Sequence, residues 1–135
     1  MQSPWRDTAA LSEGAPAGLR IIVADDEEPV RLLVVRIVQR AYPGAEIIAA
    51  ANGQSALEAY QQHGADAIIT DQSMPIMDGL SLTHLLRARH ATVPILLISG
   101  LPQNEQPARA AGVSGFLAKP FTPAQLLQLL ALLLS

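Results

Sequence analysis

Short aliphatic runs alternate with amphipathic segments along most of this chain, and this alternation limits the fold more than any other feature. The runs predict strands at 19–24, 66–70, 94–98 and 114–118, with a weaker strand at 45–50. Strands that are apolar over their whole length are typical of a parallel sheet buried on both faces. Between them, apolar residues recur at the three- and four-residue spacing of helices that cover a sheet.

Five helices are predicted between and after these strands. The first begins near Pro29, which suits a first helical turn, and continues to about Ala41. The others are expected at 54–63, 80–90, 107–111 and 123–134. The fourth is expected to be short, because Pro107 lacks the N–H that a helix interior needs. Five β-α units of these lengths predict a three-layer α/β/α fold with a doubly wound, five-stranded parallel sheet.

The size and composition are those of one aliphatic domain. The chain has 135 residues, is 50% hydrophobic with 4% aromatic, and has no cysteine, which excludes thiol catalysis and a disulfide scaffold. A formal net charge of −3 without a basic stretch argues against direct binding of nucleic acid. No apolar run reaches the roughly 18 residues of a membrane span. Residues 1–18 are expected to be a flexible leader or linker before a domain at 19–135, and the domain is expected in the cytoplasm.

Polar side chains occur where four of the predicted strands end. Asp25 and Asp26 follow the first strand, Asp71 the third, Ser99 the fourth and Lys119 the fifth. In open parallel sheets, ligands bind at the edge where these strand ends meet. Three carboxylates about 5 Å apart repel by roughly 3 kcal/mol per pair at an effective dielectric constant of about 20. They therefore either take up a proton or hold a cation, and Mg²⁺ suits a site built only from oxygen ligands.

The same residues suit phosphoryl chemistry. Asp71 stands alone at its strand end and is a candidate nucleophile, because carboxylates form aspartyl-phosphates. Lys119 brings a mobile positive charge that suits phosphate, and the hydroxyl of Ser99 donates a hydrogen bond to a phosphoryl oxygen. The sequence thus predicts a phosphoryl and metal site at one edge of the sheet.

Four segments resemble the response-regulator receiver domain, whose fold is CheY-like. They are IIVADDEEPVRLLV, ITDQSMPIMDGL, ILLISG and FLAKPF, and they occur in the family's order and spacing. The similarity covers about residues 19–134. It implies the strand order 2-1-3-4-5 that flavodoxin-like and CheY-like folds share.

The resemblance also implies a role for each site residue. Asp71 becomes the phosphoacceptor and Lys119 the phosphate-binding amine, while Ser99 and Phe116 become the switch hydroxyl and the switch aromatic. Mg²⁺ is expected on Asp25, Asp26 and Asp71 together with the backbone carbonyl of Ser73. The Lys119-Pro120 peptide is expected to be cis.

The function implied is signalling in a two-component or phosphorelay system. A histidine kinase or a histidine phosphotransfer protein is the expected phosphodonor, and phosphorylation switches partner binding. No enzymatic activity is expected beyond self-catalysed phosphotransfer and autodephosphorylation. The domain is either free-standing or the receiver part of a hybrid histidine kinase. The alternative is a receiver-like interaction module that works without phosphorylation.

Other interpretations account for fewer of these residues. Asp25 or Asp26 alone also suits the cap of the helix at Pro29. A flavin carrier of similar architecture needs a neutral phosphate loop, which the four acids at 25–28 do not provide. An aspartyl-phosphate hydrolase needs an acid two residues after the nucleophile, where Ser73 stands.

Two further features bear on regulation and assembly. The resemblance implies that two side chains, Ser73 and Leu101, lie at the positions that tune how water reaches the acyl phosphate. Leu101 is apolar and cannot orient an attacking water, which predicts slow self-dephosphorylation. The last helix is apolar all round, which predicts a homodimer or a neighbouring domain on its second face. The leucines concerned are Leu126, Leu127, Leu129, Leu130, Leu132, Leu133 and Leu134.

Overall fold

Strands and α-helices alternate along residues 18–135, the part of the chain that the computed structural model describes. The strands are β1 (Arg20–Ala24), β2 (Glu46–Ala50), β3 (Ala67–Asp71), β4 (Ile95–Ser99) and β5 (Gly115–Ala118). The helices are α1 (Glu28–Ala41), α2 (Gly53–His63), α3 (Gly79–Ala88), α4 (Glu105–Ala111) and α5 (Pro123–Leu134), and a 3₁₀ turn at Pro102–Asn104 precedes α4. Except for Gly18, the leader predicted at 1–18 lies outside the described residues and stays a prediction.

All five strands are parallel and form one sheet in the order β2-β1-β3-β4-β5. The expected strand order and fold class are therefore confirmed. Alternate residues of a strand face opposite sides of a sheet. In β1, Ile21 and Val23 pack with α1 and α5, whereas Ile22 and Ala24 pack with α2, α3 and α4. Each face of the sheet thus has its own apolar core under its own layer of helices.

Two helix boundaries differ from the prediction for local reasons. The helix predicted at 80–90 ends at Ala88, and His90 has a left-handed φ of 64° that a continuing helix does not allow. The helix predicted at 107–111 begins two residues earlier, at Glu105. Pro107 is its third residue, where the missing N–H has no intrahelical acceptor in any case. A proline in the first turn is therefore compatible with the longer helix.

The leucine-rich helix α5 begins where the sequence predicts, at a capping box between Thr122 and Gln125. Its core-facing leucines are Leu126, Leu130 and Leu134. Leu129 and Leu133 pack partly against the same core. Leu132, at 69% exposure, is the most exposed leucine of the helix. The second apolar face is narrower than the sequence suggests. No helix in the described residues is both long and apolar enough to cross a membrane.

Gly79 lies where α3 passes close to the end of β3. A Cβ atom added there would lie 2.5 Å from Leu97 Cδ1 and 2.7 Å from the carbonyl oxygen of Asp71. Gly79→Ala is expected to lower the free energy of unfolding by about 1–3 kcal/mol, because the backbone at Asp71 must shift. Urea unfolding followed by circular dichroism measures this change.

Gly100→Ala is the matched control, since a Cβ atom there meets no atom within 4 Å. Its effect on the free energy of unfolding is expected to stay within about 0.5 kcal/mol. Equal losses in the two variants would contradict the close approach at Gly79.

Candidate functional site

The polar residues that the sequence places at strand ends gather at one edge of the sheet. Asp25 follows β1, and Asp71 is the last residue of β3, the neighbouring strand. Ser99 ends β4, and the backbone N–H of Lys119, just after β5, donates to the Ser99 carbonyl at 2.9 Å. The carboxyl ends of β1, β3, β4 and β5 lie side by side, because these are successive strands of the sheet.

Three carboxylates meet at this edge. Asp25, Asp26 and Asp71 each offer an oxygen, and the three oxygens lie within 4.8 Å of one another. Asp25 and Asp71 are each 5% exposed, whereas Asp26 is open to solvent. Such close carboxylates repel one another unless a cation lies among them. Asp71 Oδ1 is buried. A cluster whose donors are all carboxylate oxygens fits a hard divalent cation such as Mg²⁺.

The only ammonium group paired with these acids in residues 18–135 is that of Lys119. Its Nζ lies 2.5 Å from Asp71 Oδ1, and about one-third of its side chain is exposed. The contact is an ion pair, and Lys119 is the charged neighbour of this buried oxygen. The second oxygen, Asp71 Oδ2, accepts from the backbone N–H of Ser73 at 3.1 Å. These two contacts fix the orientation of the Asp71 carboxylate.

The start of α1 holds Asp25 in place. Asp25 Oδ1 accepts from the backbone N–H of Glu27 at 2.9 Å. The guanidinium of Arg31 donates to the Asp25 carbonyl at 2.7 Å. The N-cap of α1 is Glu27, without a side-chain cap bond, so neither Asp25 nor Asp26 caps that helix.

The remaining predicted residues lie in or just after β3, β4 and β5. Ser99 is 3% exposed, and its hydroxyl group forms hydrogen bonds within its own loop, with Leu101 and Asn104. Phe116 is half-buried and packs against the core under α2, α3 and α4. Ser73 is exposed. The Lys119-Pro120 peptide is cis, as expected.

Sequence reasoning missed two residues that touch this site. Arg31 lies in an amphipathic pattern that gives no sign of its bond to the Asp25 carbonyl. Asn104 lies in a proline-flanked loop, and its amide donates to Ser99 Oγ at 2.9 Å. No sequence motif marks either contact. The Asn104 contact depends on the 3₁₀ turn, and the Arg31 contact depends on how the loop between β1 and α1 places the Asp25 carbonyl.

Residues 21–131 match the family model of the response regulator receiver domain. The chain belongs to this family.

Curated relatives of this receiver domain include sensor proteins and response regulators. It is 33% identical to the sensory/regulatory protein RpfC of Xanthomonas campestris pv. campestris over 84% of its own length. It is 35% identical to the virulence sensor protein BvgS of Bordetella pertussis over 87% of its length. The matches span only 16% of RpfC and 10% of BvgS. The two-component response regulator ORR41 of rice, 31% identical, is matched over 92% of its length.

Solved structures agree with this membership. The chemotaxis response regulator CheY4 of Vibrio cholerae superposes with a TM-score of 0.77 at 32% identity. That match covers 87% of this receiver domain and 99% of CheY4. A Borrelia burgdorferi structure, the CheX-CheY-BeF3-Mg²⁺ complex, superposes with a TM-score of 0.80 at 25% identity, over 93% and 94% of the two chains.

Burial and crowding shape the charges of the receiver's site. Burial raises the pKa of Asp25, and the nearby Asp71 carboxylate raises it further, against the opposing effects of the Glu27 N–H and of Lys119. Burial alone would lower the pKa of Lys119, but Asp71, Asp25 and Glu27 outweigh it and raise that pKa. Lys119 therefore stays protonated, while the charged form of Asp25 is disfavoured without a further cation.

Asp25→Asn is expected to raise the free energy of unfolding at pH 7 in Mg²⁺-free buffer. The pKa of Asp25 is higher in the folded state than in the unfolded state, where it is about 3.9. As the pH rises from the unfolded value through the folded value, this carboxyl group therefore lowers the free energy of unfolding. Asparagine removes that loss and keeps an oxygen for the Glu27 N–H. The gain is expected to be of the order of 1 kcal/mol at pH 7 and to shrink as the pH falls toward 4. Urea unfolding at a series of pH values measures it.

Asp66→Asn is the matched control. Asp66 precedes β3 at the opposite edge of the sheet, and its side chain accepts from the Arg20 N–H at 2.8 Å, a bond that asparagine can keep. No comparable gain is expected there. A loss of stability in Asp25→Asn, or an equal gain in Asp66→Asn, would show that crowding at the candidate site is not the cause.

Proposed function

We propose that this receiver domain accepts a phosphoryl group on Asp71 from a phosphohistidine, carried by a histidine kinase or a histidine phosphotransfer protein. The observation that carries the proposal is the environment of Asp71, a buried carboxylate at a strand end. It pairs with Lys119 and stands within 4.8 Å of two other carboxylates. A carboxylate so placed is a suitable nucleophile toward phosphorus.

Mg²⁺ is the cofactor in this proposal. Asp25, Asp26 and Asp71, with the backbone carbonyl of Ser73, would hold it. When bound, it would supply positive charge to the phosphoryl oxygens during transfer. The cluster of three acids supports this choice, as does a relative whose solved complex contains both Mg²⁺ and beryllofluoride.

The transfer is a single displacement at phosphorus. A carboxylate oxygen of Asp71 attacks, the P–N bond to the donor imidazole breaks, and the imidazole nitrogen keeps the electron pair. The ammonium of Lys119, already beside Asp71, offsets the charge on the phosphoryl oxygens. The products are an aspartyl-phosphate on this domain and a neutral histidine on the donor. The phosphoryl group stays on the domain after transfer.

The output in this proposal is a change in partner binding. The Ser99 hydroxyl donates a hydrogen bond to the phosphoryl group. Phe116, whose register partner in β4 is Leu97, repacks beside that strand. The phosphoryl group then acts as a ligand that favours one of two conformations.

The setting of the domain is also a proposal. It is either free-standing or the receiver part of a hybrid histidine kinase, since relatives of both lengths match it. Its proposed location is the cytoplasm, and direct nucleic-acid binding is not part of its role. A second copy or a neighbouring domain would cover Leu132, the most exposed leucine of α5.

Incubation with acetyl phosphate and Mg²⁺ is expected to add one phosphoryl group to the protein, read as intact mass. Asp71→Asn is expected to abolish the gain, because the amide is not nucleophilic toward phosphorus. Omission of Mg²⁺ is expected to suppress it.

Asp66→Asn is the control, since that residue lies at the other edge of the sheet, and it is expected to be phosphorylated like the parent. No mass gain in the parent, despite a native fold by circular dichroism, would overturn the proposal. The interaction module that works without phosphate would then be the better description.

The aspartyl-phosphate of the parent is expected to persist for minutes or longer. Leu101 and the exposed Ser73 are the two residues at the positions that tune water attack, and Leu101 carries no hydrogen-bonding side-chain atom. Leu101→Asn is expected to shorten the lifetime several-fold, because an amide can orient water. Intact mass followed over time after removal of acetyl phosphate measures this, with Leu32→Asn as an exposed-leucine control. Loss of the parent's phosphate within seconds would contradict the expectation.

A further inference from the structure

The hydroxyl of Ser99 is fully occupied by its own loop. Ser99 Oγ accepts from the Leu101 N–H at 3.0 Å and from the Asn104 amide at 2.9 Å. It donates to the Leu101 carbonyl at 3.3 Å. A hydroxyl has one hydrogen to donate and two lone pairs to accept with, so its capacity is filled. Ser99 is also only 3% exposed, so water does not compete for these bonds.

The turn that follows β4 is built to bring Asn104 back to Ser99. Pro102 begins the 3₁₀ turn, and the Asn104 N–H donates to the Leu101 carbonyl at 3.0 Å. The turn reverses the chain, so the half-buried Asn104 side chain reaches the residue five positions earlier. Within residues 18–135, the Asn104 amide is the only side-chain group that bonds to Ser99.

We propose that Asn104 is a positioning residue that holds Ser99 in the conformation of the unphosphorylated domain. The inference rests on the proposed function, in which Ser99 donates to a phosphoryl group on Asp71. To do so, Ser99 must give up the Leu101 carbonyl. If its Oγ moves toward Asp71, the Asn104 amide and the Leu101 N–H lose their acceptor as well.

The contact therefore sets a conformational equilibrium. A half-buried amide that loses its acceptor is unfavourable, so Asn104 favours the state in which Ser99 stays in its loop. Removal of the amide raises the population of the state that binds the phosphoryl group. Apparent affinity for a phosphoryl mimic rises in proportion to that population while it is small.

Beryllofluoride with Mg²⁺ is the probe, and its binding to the full 135-residue chain is read by ¹⁹F NMR. Asn104→Ala is expected to tighten the apparent affinity about five-fold, which is about 1 kcal/mol at 25 °C and the usual net size of one hydrogen bond. Gln103→Ala is the control within the same turn, since Gln103 is exposed and its side chain makes no hydrogen bond in the described residues. Its affinity is expected to equal that of the parent.

The dependence on Ser99 separates a specific contact from a general effect on the loop. In a Ser99→Ala background, Asn104→Ala is expected to leave the affinity unchanged, because the acceptor is already gone. Asn104→Leu, which keeps side-chain volume without the amide, is expected to behave like Asn104→Ala. Thermal unfolding by circular dichroism establishes that each variant is folded, and the leucine variant serves if the alanine variant is not.

The outcomes distinguish the two proposals. Binding by the parent that Asp71→Asn abolishes, with no tightening in either folded Asn104 variant, would overturn the role of Asn104 and leave the phosphoacceptor assignment standing. Equal tightening with and without Ser99 would also overturn it. No binding of beryllofluoride by the parent would overturn the phosphoacceptor assignment and the role of Asn104 together.

Discussion

Repulsion among carboxylates at one edge of the sheet is the constraint on which the site depends. Asp25, Asp26 and Asp71 bring three acids together, and one ammonium, that of Lys119, pairs with them. The balance stays negative even with Lys119 charged, so the site favours a further cation. Burial, with a further contribution from Asp71, raises the pKa of Asp25, and the acidic neighbours of Lys119 raise its pKa.

The fold tolerates these crowded carboxylates because burial of apolar side chains in the two cores offsets their repulsion. Strands β1, β3 and β4 are buried on both faces, and each face has its own aliphatic core. Apolar burial of this extent is the main favourable term in folding, and it tolerates a few unfavourable charges at the sheet edge. Backbone bonds such as Lys119 N–H to the Ser99 carbonyl then hold the strand ends in register.

Much of this architecture follows from the sequence, and the exceptions share one cause. Aliphatic runs and helical spacing predict all five strands, and polar residues at their ends predict which side chains meet. The strand order came from the resemblance to receiver domains, since spacing alone leaves several topologies open. The contacts of Arg31 and Asn104 are not predictable, because one partner in each lies in a loop or turn that no periodic pattern describes. The start of α4 was misplaced for a related reason: a proline is excluded from a helix interior but not from a first turn.

The main-chain bond between Ser99 and Lys119 has a consequence for how a signal leaves the site. It ties the end of β4 to the residue that follows β5. Neither backbone can travel far while the bond remains. Residues 100–114, which join β4 to β5, belong to no strand, so this segment is the part of the site least restrained by strand pairing. In the proposed function, a change at Asp71 is therefore expected to reach a partner through this one segment.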